Sequence, residues 1–307
     1  MRQEAYFCTV KELDELGKNN IPRQLISHTH LIYSSPATLA FNSPGAEGFG
    51  VKRAGLAVPD SVMLIVSPGC CGRNTSVLSS MRAYQDRFYY LLMDETDIVT
   101  GRHLKKIPKA VAEICEGLKK KPSVVMICIT CVDALLGTDM ERVCHKAEEY
   151  AGVPVRPCYM YALTREGRKP PMVHVRQSVY SLLEPKKKKG NVVNLLGYFS
   201  PLTDDCELYD LLHGAGVKTI HEISRCKDYA QYQTMSEANF NLVLHPEARF
   251  AAEDFHDRLK IPYIELRRLY QTDKIASQYQ AFGAALGVQF DDKAPRKAAE
   301  DAIIKFR

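Results

Sequence analysis

No stretch of this 307-residue chain is long and apolar enough to cross a bilayer; the longest apolar runs, such as residues 62–66 and 124–129, have the length of single strands. The first residues, Met1-Arg2-Gln3-Glu4, lack the apolar core of a signal peptide. No membrane association is expected, and the expected location is the cytoplasm. The phosphate-binding pattern Gly-x-x-x-x-Gly-Lys-Ser/Thr is missing, so any use of ATP falls to a partner. Neither an aromatic–basic stripe nor a zinc-type ligand spacing is present, and the 41 basic residues exceed the 36 acidic ones by only five. Much of that excess could sit in the lysine run 186–189, so nucleic-acid recognition is not expected. There is no repeat at a fixed solenoid period. The compact cysteine run of ferredoxins is missing too.

What is present is globular. A chain of 307 residues can bury the cores of two domains of ordinary size. Its ten cysteines, in a reducing compartment, do not read as a disulfide framework, because disulfides persist mainly where the surroundings oxidise. Some of them are therefore free to bind metal.

Short apolar runs alternate with longer amphipathic segments, the pattern of strands and crossover helices in a mostly parallel sheet, and the fold class is read as α/β. Val62-Met63-Leu64-Ile65-Val66 reads as a buried strand leading into the loop Ser67-Pro68-Gly69-Cys70-Cys71-Gly72. Residues 107–118 read as a helix, and 123–129 as the next strand, leading into Thr130-Cys131 and a helix that starts near Val132. Two cysteine-bearing loops thus follow the ends of two inner strands, the edge where open α/β sheets bind ligands. Glu184-Pro185-Lys186-Lys187-Lys188-Lys189-Gly190 reads as an exposed, solvated connection. This places a first Rossmann-like domain at 1–185, a basic linker at 186–190 and a second Rossmann-like domain at 191–307. In the second, strands are expected at 191–196, 217–220, 240–244 and 262–266, and helices at 206–214 and 251–259.

The cysteines separate by setting. Cys128 lies in an apolar strand; Cys115, Cys144 and Cys206 fall on expected helices; Cys158 and Cys226 have no partner nearby in sequence, and Cys8 cannot be placed. Small buried hydrophobes are the favoured reading of all but Cys8. Cys70, Cys71 and Cys131 sit instead on Gly- and Thr-containing loops whose backbone could wrap an inorganic cluster, with thiolate as the iron ligand. Buried thiols and no cluster at all are the alternative.

Ser67-Pro68-Gly69-Cys70-Cys71-Gly72 resembles the Gly-Pro-x-Gly-Cys-Gly loop of nitrogenase component 1 type proteins, with Cys71 at the ligand position. Residues 93–101, Met-Asp-Glu-Thr-Asp-Ile-Val-Thr-Gly, are similar to that family's Glu-x-Asp-x-Val-x-Gly stretch ahead of a helix. Residues 130–139, from Thr130-Cys131 to Gly137-Thr138-Asp139, resemble its Thr-Cys-x-x-x-x-x-Gly-Asp-Asp signature, with Cys131 at a second ligand position. Val193-Asn194-Leu195-Leu196-Gly197, Asn241-Leu242-Val243 and Ile261-Pro262-Tyr263-Ile264-Glu265 resemble landmarks of its second domain. The superfamily includes the nitrogenases, their cofactor scaffolds, the dark-operative protochlorophyllide and chlorophyllide reductases, and a reductive cyclase acting on nickel-sirohydrochlorin diamide.

The resemblance implies an iron–sulfur cluster of the 4Fe–4S type and electrons supplied by a separate ATP-dependent iron–sulfur reductase. Three departures narrow it. The family's early cysteine has no counterpart in Asn42-Ser43-Pro44-Gly45-Ala46. One chain then offers Cys71 and Cys131, and four ligands would come from a homodimer, or from a heterodimer with a related component 1 chain. The alternative is local ligation by both Cys70 and Cys71. Where nitrogenases anchor their large cofactor by a cysteine, this chain has His245, which favours the tetrapyrrole-reducing and reductive-cyclase branch over dinitrogen reduction. His245, with His28 or His30, is the expected proton donor, or His245 a metal ligand. The chain ends about forty residues after the last expected strand, so a third family domain is not expected. A non-catalytic scaffold for cluster or cofactor assembly is the second functional reading.

Overall fold

A computed structural model describes residues 9–17, 19, 20, 22, 50–69, 79, 84–129, 136–159 and 169–305. Within these residues two parallel sheets form. The first contains β1 (Val62–Ser67), β2 (Phe88–Leu92), β3 (Val125–Ile129) and β4 (Val155–Pro157) in the order β2-β1-β3-β4. The second contains β5 (Val192–Leu196), β6 (Thr219–His221), β7 (Phe240–Val243) and β8 (Tyr263–Glu265) in the order β6-β5-β7-β8. The helices are α1 (Val10–Leu16), α2 (Gly50–Gly55), α3 (Glu95–Thr100), α4 (His103–Gly117), α5 (Met140–Ala151) and α6 (Pro171–Tyr180). After the second sheet begins come α7 (Glu207–Gly214), α8 (Tyr229–Gln233), α9 (Arg249–Leu259), α10 (Thr272–Leu286) and α11 (Lys293–Lys305).

The expected inner strands are the observed ones because each is a mostly apolar run buried on both faces, as a sheet covered on both sides requires. All six residues of β1 are buried. Met63 and Ile65 face a core shared with α2 and α6, while Val62, Leu64 and Val66 face the core under α4 and α5. β1 lies between β2 and β3, pairing Met63 with Phe88 and Val66 with Ile129. In the second sheet β5 pairs in the same manner with β7. There Asn194 and Asn241 stand side by side, and the Asn194 amide donates to the Asn241 carbonyl oxygen at 2.7 Å and to the Met235 backbone oxygen at 2.8 Å. These two asparagines, read from sequence as landmarks of the second domain, tie the central strands to the turn ahead of β7.

One continuous apolar core joins the sheets. It runs from Met63 and Cys128 through Val175 and Tyr180 of α6 to Leu196, Val243 and Phe255. α6 is buried on nearly every side, and the rings of Tyr180 and Phe255 meet edge to face at 5.3 Å. The lysine run after α6 is exposed as expected over most of its length. It is also held: Lys188 donates to the Ser236 backbone oxygen at 2.6 Å and Lys189 pairs with Glu237 at 2.5 Å. No described helix is long and apolar enough to cross a membrane.

Candidate functional site

In both sheets the strand order reverses beside a central pair, β1 with β3 and β5 with β7. Connections leave such a pair toward opposite faces, so a crevice opens at its carboxyl edge. Ser67 ends β1 four residues before Cys71, and Ile129 ends β3 two residues before Cys131. Cys70, Cys71 and Cys131 themselves lie outside the described residues, as do His28, His30 and residues 42–46.

The described residues around that edge fit a polar guest. Ser67 is fully buried and its Oγ has no hydrogen-bond partner; the same holds for Nε2 of His103, whose Nδ1 donates to the Asp97 backbone oxygen at 2.9 Å. Orphaned buried polar atoms are rare in folded chains and call for a partner. Cys115, Cys144, Cys158, Cys206 and Cys226 are poor thiolates, because burial raises the pKa of each, that of Cys226 to about 11. A metal-binding thiolate needs the opposite surroundings.

Asp97, inside the Glu-x-Asp-like stretch, is an organiser of this edge. Asp94 and Asp97 form a capping box at the start of α3. Asp97 also receives Lys106 at 2.7 Å and Arg102 at 3.3 Å. The Lys106 hydrogen bond holds the buried carboxyl below the ordinary carboxylate range against the opposing effect of burial. Beside it, a depression of about 630 Å³ is lined by Val99, His103, Lys105, Leu136, Arg142 and Lys146. Val99 is 84% exposed and Leu136 47%.

A second cavity, about 880 Å³, lies between the sheets and is lined by Arg53, Tyr84, Arg176, Tyr198, Phe199 and His245 among others. It joins the carboxyl edge of the second sheet to the amino end of β1, since Asp60 and Arg87 also line it. The cysteine edge is therefore one strand away along β1, ~17 Å at the usual rise per residue. His245 follows β7 and caps a 3-10 turn, its Nδ1 accepting from the Glu247 backbone N–H at 3.3 Å. In that arrangement the neutral ring carries its proton on Nε2. The Tyr198 ring stands edge-on to the imidazole at 5.7 Å.

The loops after β5 and β7 are clamped by Arg176, which sequence reading missed. Its guanidinium donates to the Gly197 backbone oxygen at 2.6 and 3.2 Å, to the Met172 oxygen at 2.9 Å and to Glu247 at 2.8 Å. Burial lowers its pKa, and Glu247 opposes that shift. Gly197 adopts φ +137°, and a Cβ there would meet the His245 nitrogen at 2.7 Å, so the loops approach this closely only because residue 197 lacks a side chain. No local signal announces Arg176, two of whose three partners lie 21 and 71 residues away.

Among the described residues no three His, Cys, Asp or Glu side chains form a group able to hold a metal ion. A family model for nitrogenase component 1 type oxidoreductases matches residues 47–307. The nitrogenase iron-molybdenum cofactor biosynthesis protein NifE of Nostoc sp. is 26% identical over 239 residues, 75% of this chain and 49% of that protein. NifE of Rhizobium meliloti is 27% identical over 70% of this chain and 47% of its own length. The chain thus spans about half the length of the curated relatives it matches. A solved structure titled "Nitrogenase Cp1 at pH 6.5" superposes with a TM-score of 0.58 at 18% identity, over 79% of this chain and 57% of that one, a likeness of fold.

Two outcomes follow from this geometry. Arg176→Met leaves Glu247 and the Gly197 oxygen without their donor, and urea unfolding should show a loss of about 3 kcal/mol, the low end for a broken buried pair because Glu247 keeps some solvent. The Asp97 pKa is lower folded than its ordinary value of 3.8, so its contribution is complete above that value and is lost as acid protonates the folded carboxyl. The thermal midpoints of wild type and Asp97→Asn should accordingly differ at neutral pH and converge on acidification through about pH 4 and below.

Proposed function

The chain belongs to the nitrogenase component 1 type oxidoreductases, and on that footing we propose that it is a cluster-bearing component that takes electrons from an ATP-dependent iron–sulfur reductase and acts on a ligand in the cleft beside His245. What supports this reading is that β1 and β3, the strands that precede the cysteine loops in sequence, end side by side. Both loops begin at the carboxyl edge of this central strand pair, next to an orphaned buried hydroxyl. Cys71 and Cys131 would hold the cluster, two thiolates from each chain of a homodimer or of a heterodimer with a related chain, with Cys70 as the local alternative. A four-iron cluster there would supply one-electron storage.

The reductase would dock over the depression beside Asp97. Val99 and Leu136 offer apolar contact within a rim of Lys105, Arg142 and Lys146, a surface suited to an acidic partner. In the cleft, His245 would serve as the proton donor, Arg176 fixes the loop that carries it, and Arg53 and Lys227 favour an anionic ligand.

The relatives' role in cofactor biosynthesis favours a metal-cofactor precursor as that ligand, and hence a scaffold that binds or matures it and passes it on. A second reading is favoured by the cleft's aromatic walls, Tyr84, Tyr198 and Phe199, which suit a flat conjugated molecule such as a tetrapyrrole reduced in place. Reductant- or ATP-dependent turnover of a tetrapyrrole would select the second; binding and transfer without turnover selects the first. For the ligand assignment, Cys131→Ala should abolish the charge-transfer absorbance of protein reconstituted anaerobically with iron and sulfide. Retention of the full spectrum would contradict it.

A further inference from the structure

Two aromatic rings that line the cleft beside His245, Tyr198 and Phe199, each carry an arginine. Arg176 lies over the Phe199 ring, its guanidinium carbon 4.9 Å from the ring centre, and Arg268 lies over the Tyr198 ring at 5.7 Å. The two cations are in different states. Arg176 is buried, and its charge is taken up by Glu247 and by the Gly197 and Met172 backbone oxygens. Arg268 follows β8 in an exposed position, and among the described residues no acidic side chain pairs with it. Its contact is with the ring alone.

The remaining charges of the cleft leave it positive. Its two lining carboxylates are already matched, Asp60 by Lys120 at 2.9 Å and Glu247 by Arg176 at 2.8 Å. Arg87, also in the lining, turns its guanidinium to the backbone oxygens of Leu56, Val58 and Ser61, which solvate the charge without cancelling it. Lys227 is exposed in the lining and pairs with no described acid. Rings therefore form the wall, and the uncompensated exposed cations, Lys227 and Arg268, stand where a guest would emerge into water. Such a lining suits a molecule with a flat apolar body and anionic groups on its periphery.

We propose that Arg268 selects the ligand of this cleft by charge, receiving a peripheral carboxylate of a flat conjugated molecule whose body lies against Tyr198 and Phe199. This rests on the reading of the cleft as the ligand site, in the form its aromatic walls favour, and is independent of the iron–sulfur cluster. The contact with Tyr198 limits the freedom of the guanidinium before the guest arrives, and its planar fork can donate two N–H bonds to one carboxylate. A cationic molecule of the same shape gains the ring contacts, loses the ion pair and is repelled by the surplus charge. Arg268 is a specificity residue, with no part in proton or electron transfer.

The test uses the full chain without added iron and two probes with one ring system and opposite charge: coproporphyrin, a tetracarboxylate, and a porphyrin bearing four quaternary ammonium groups. Binding is followed by absorbance titration at low and high salt for wild type, Arg268→Gln, Arg268→Lys and Ser200→Trp. Wild type should hold coproporphyrin about tenfold more tightly than the cationic porphyrin. Arg268→Gln should bind coproporphyrin about fivefold more weakly at low salt, the reach of one exposed ion pair. That difference should close at about 1 M salt, where the screening length falls to about 3 Å. Arg268→Lys, which keeps the charge, should recover most of the affinity. Ser200→Trp puts a large side chain into the cleft from an exposed lining position and should weaken coproporphyrin binding. If neither porphyrin binds wild type, the reading of the cleft fails and this proposal with it. If coproporphyrin binds wild type and Arg268→Gln equally at low salt, or the cationic porphyrin binds wild type as tightly as coproporphyrin does, the cleft reading stands and the proposal is overturned. Full coproporphyrin binding by Ser200→Trp would place the probe outside the cleft and overturn it as well.

Discussion

The hydrogen-bonded pairing of β1 with β3, and of β5 with β7, is the constraint on which the rest depends. Each pair joins strands that are not consecutive in the chain, with the intervening strand sent to the outer flank. Backbone connections therefore leave each pair at its carboxyl edge, and two loops that are distant in sequence begin beside each other. In the first sheet those loops lead to Cys71 and Cys131. In the second they carry Gly197 and His245, which are close enough that residue 197 has no room for a Cβ.

The cleft of His245 meets the first sheet at the amino end of its strands, with β1 lying between it and the cysteine edge. The proposed division of labour uses this separation. Electron entry and storage sit at one end, under the exposed Val99 and Leu136, and ligand binding and proton supply at the other, with the shared core of Met63, Val175 and Phe255 fixing the relation between them. Arg176, on the helix in the middle of that core, reaches the ligand end directly.

The central strands were legible because burial on both faces leaves an unmistakable apolar run, as in Val62–Ser67 and Val125–Ile129. Elements that depend on tertiary cover were not. β2 reads Phe-Tyr-Tyr-Leu-Leu with alternate exposure at a sheet edge, β4 has three residues and ends in proline, and α6 is buried nearly all round and so lacks an amphipathic period. Helix α4 begins four residues earlier than periodicity suggests, because His103 is drawn inward to the Asp97 backbone. Cys206, expected on a helix, is the residue just before α7. At the site, loop glycines and the position of His245 could be read, and Asp97 could be noticed as part of a motif. Its capping and ion-pair role could not be read, nor could the Arg176 clamp or the orphaned Ser67 hydroxyl, since each depends on which distant groups surround one atom.

The central claim is that this chain carries an iron–sulfur cluster completed by a second chain. Iron content and oligomeric state of anaerobically purified protein test it together. The expected result is a dimer with about four irons per two chains, from two thiolates on each. A colourless protein that takes up no iron, or a monomer holding about four irons on its own cysteines, would contradict it.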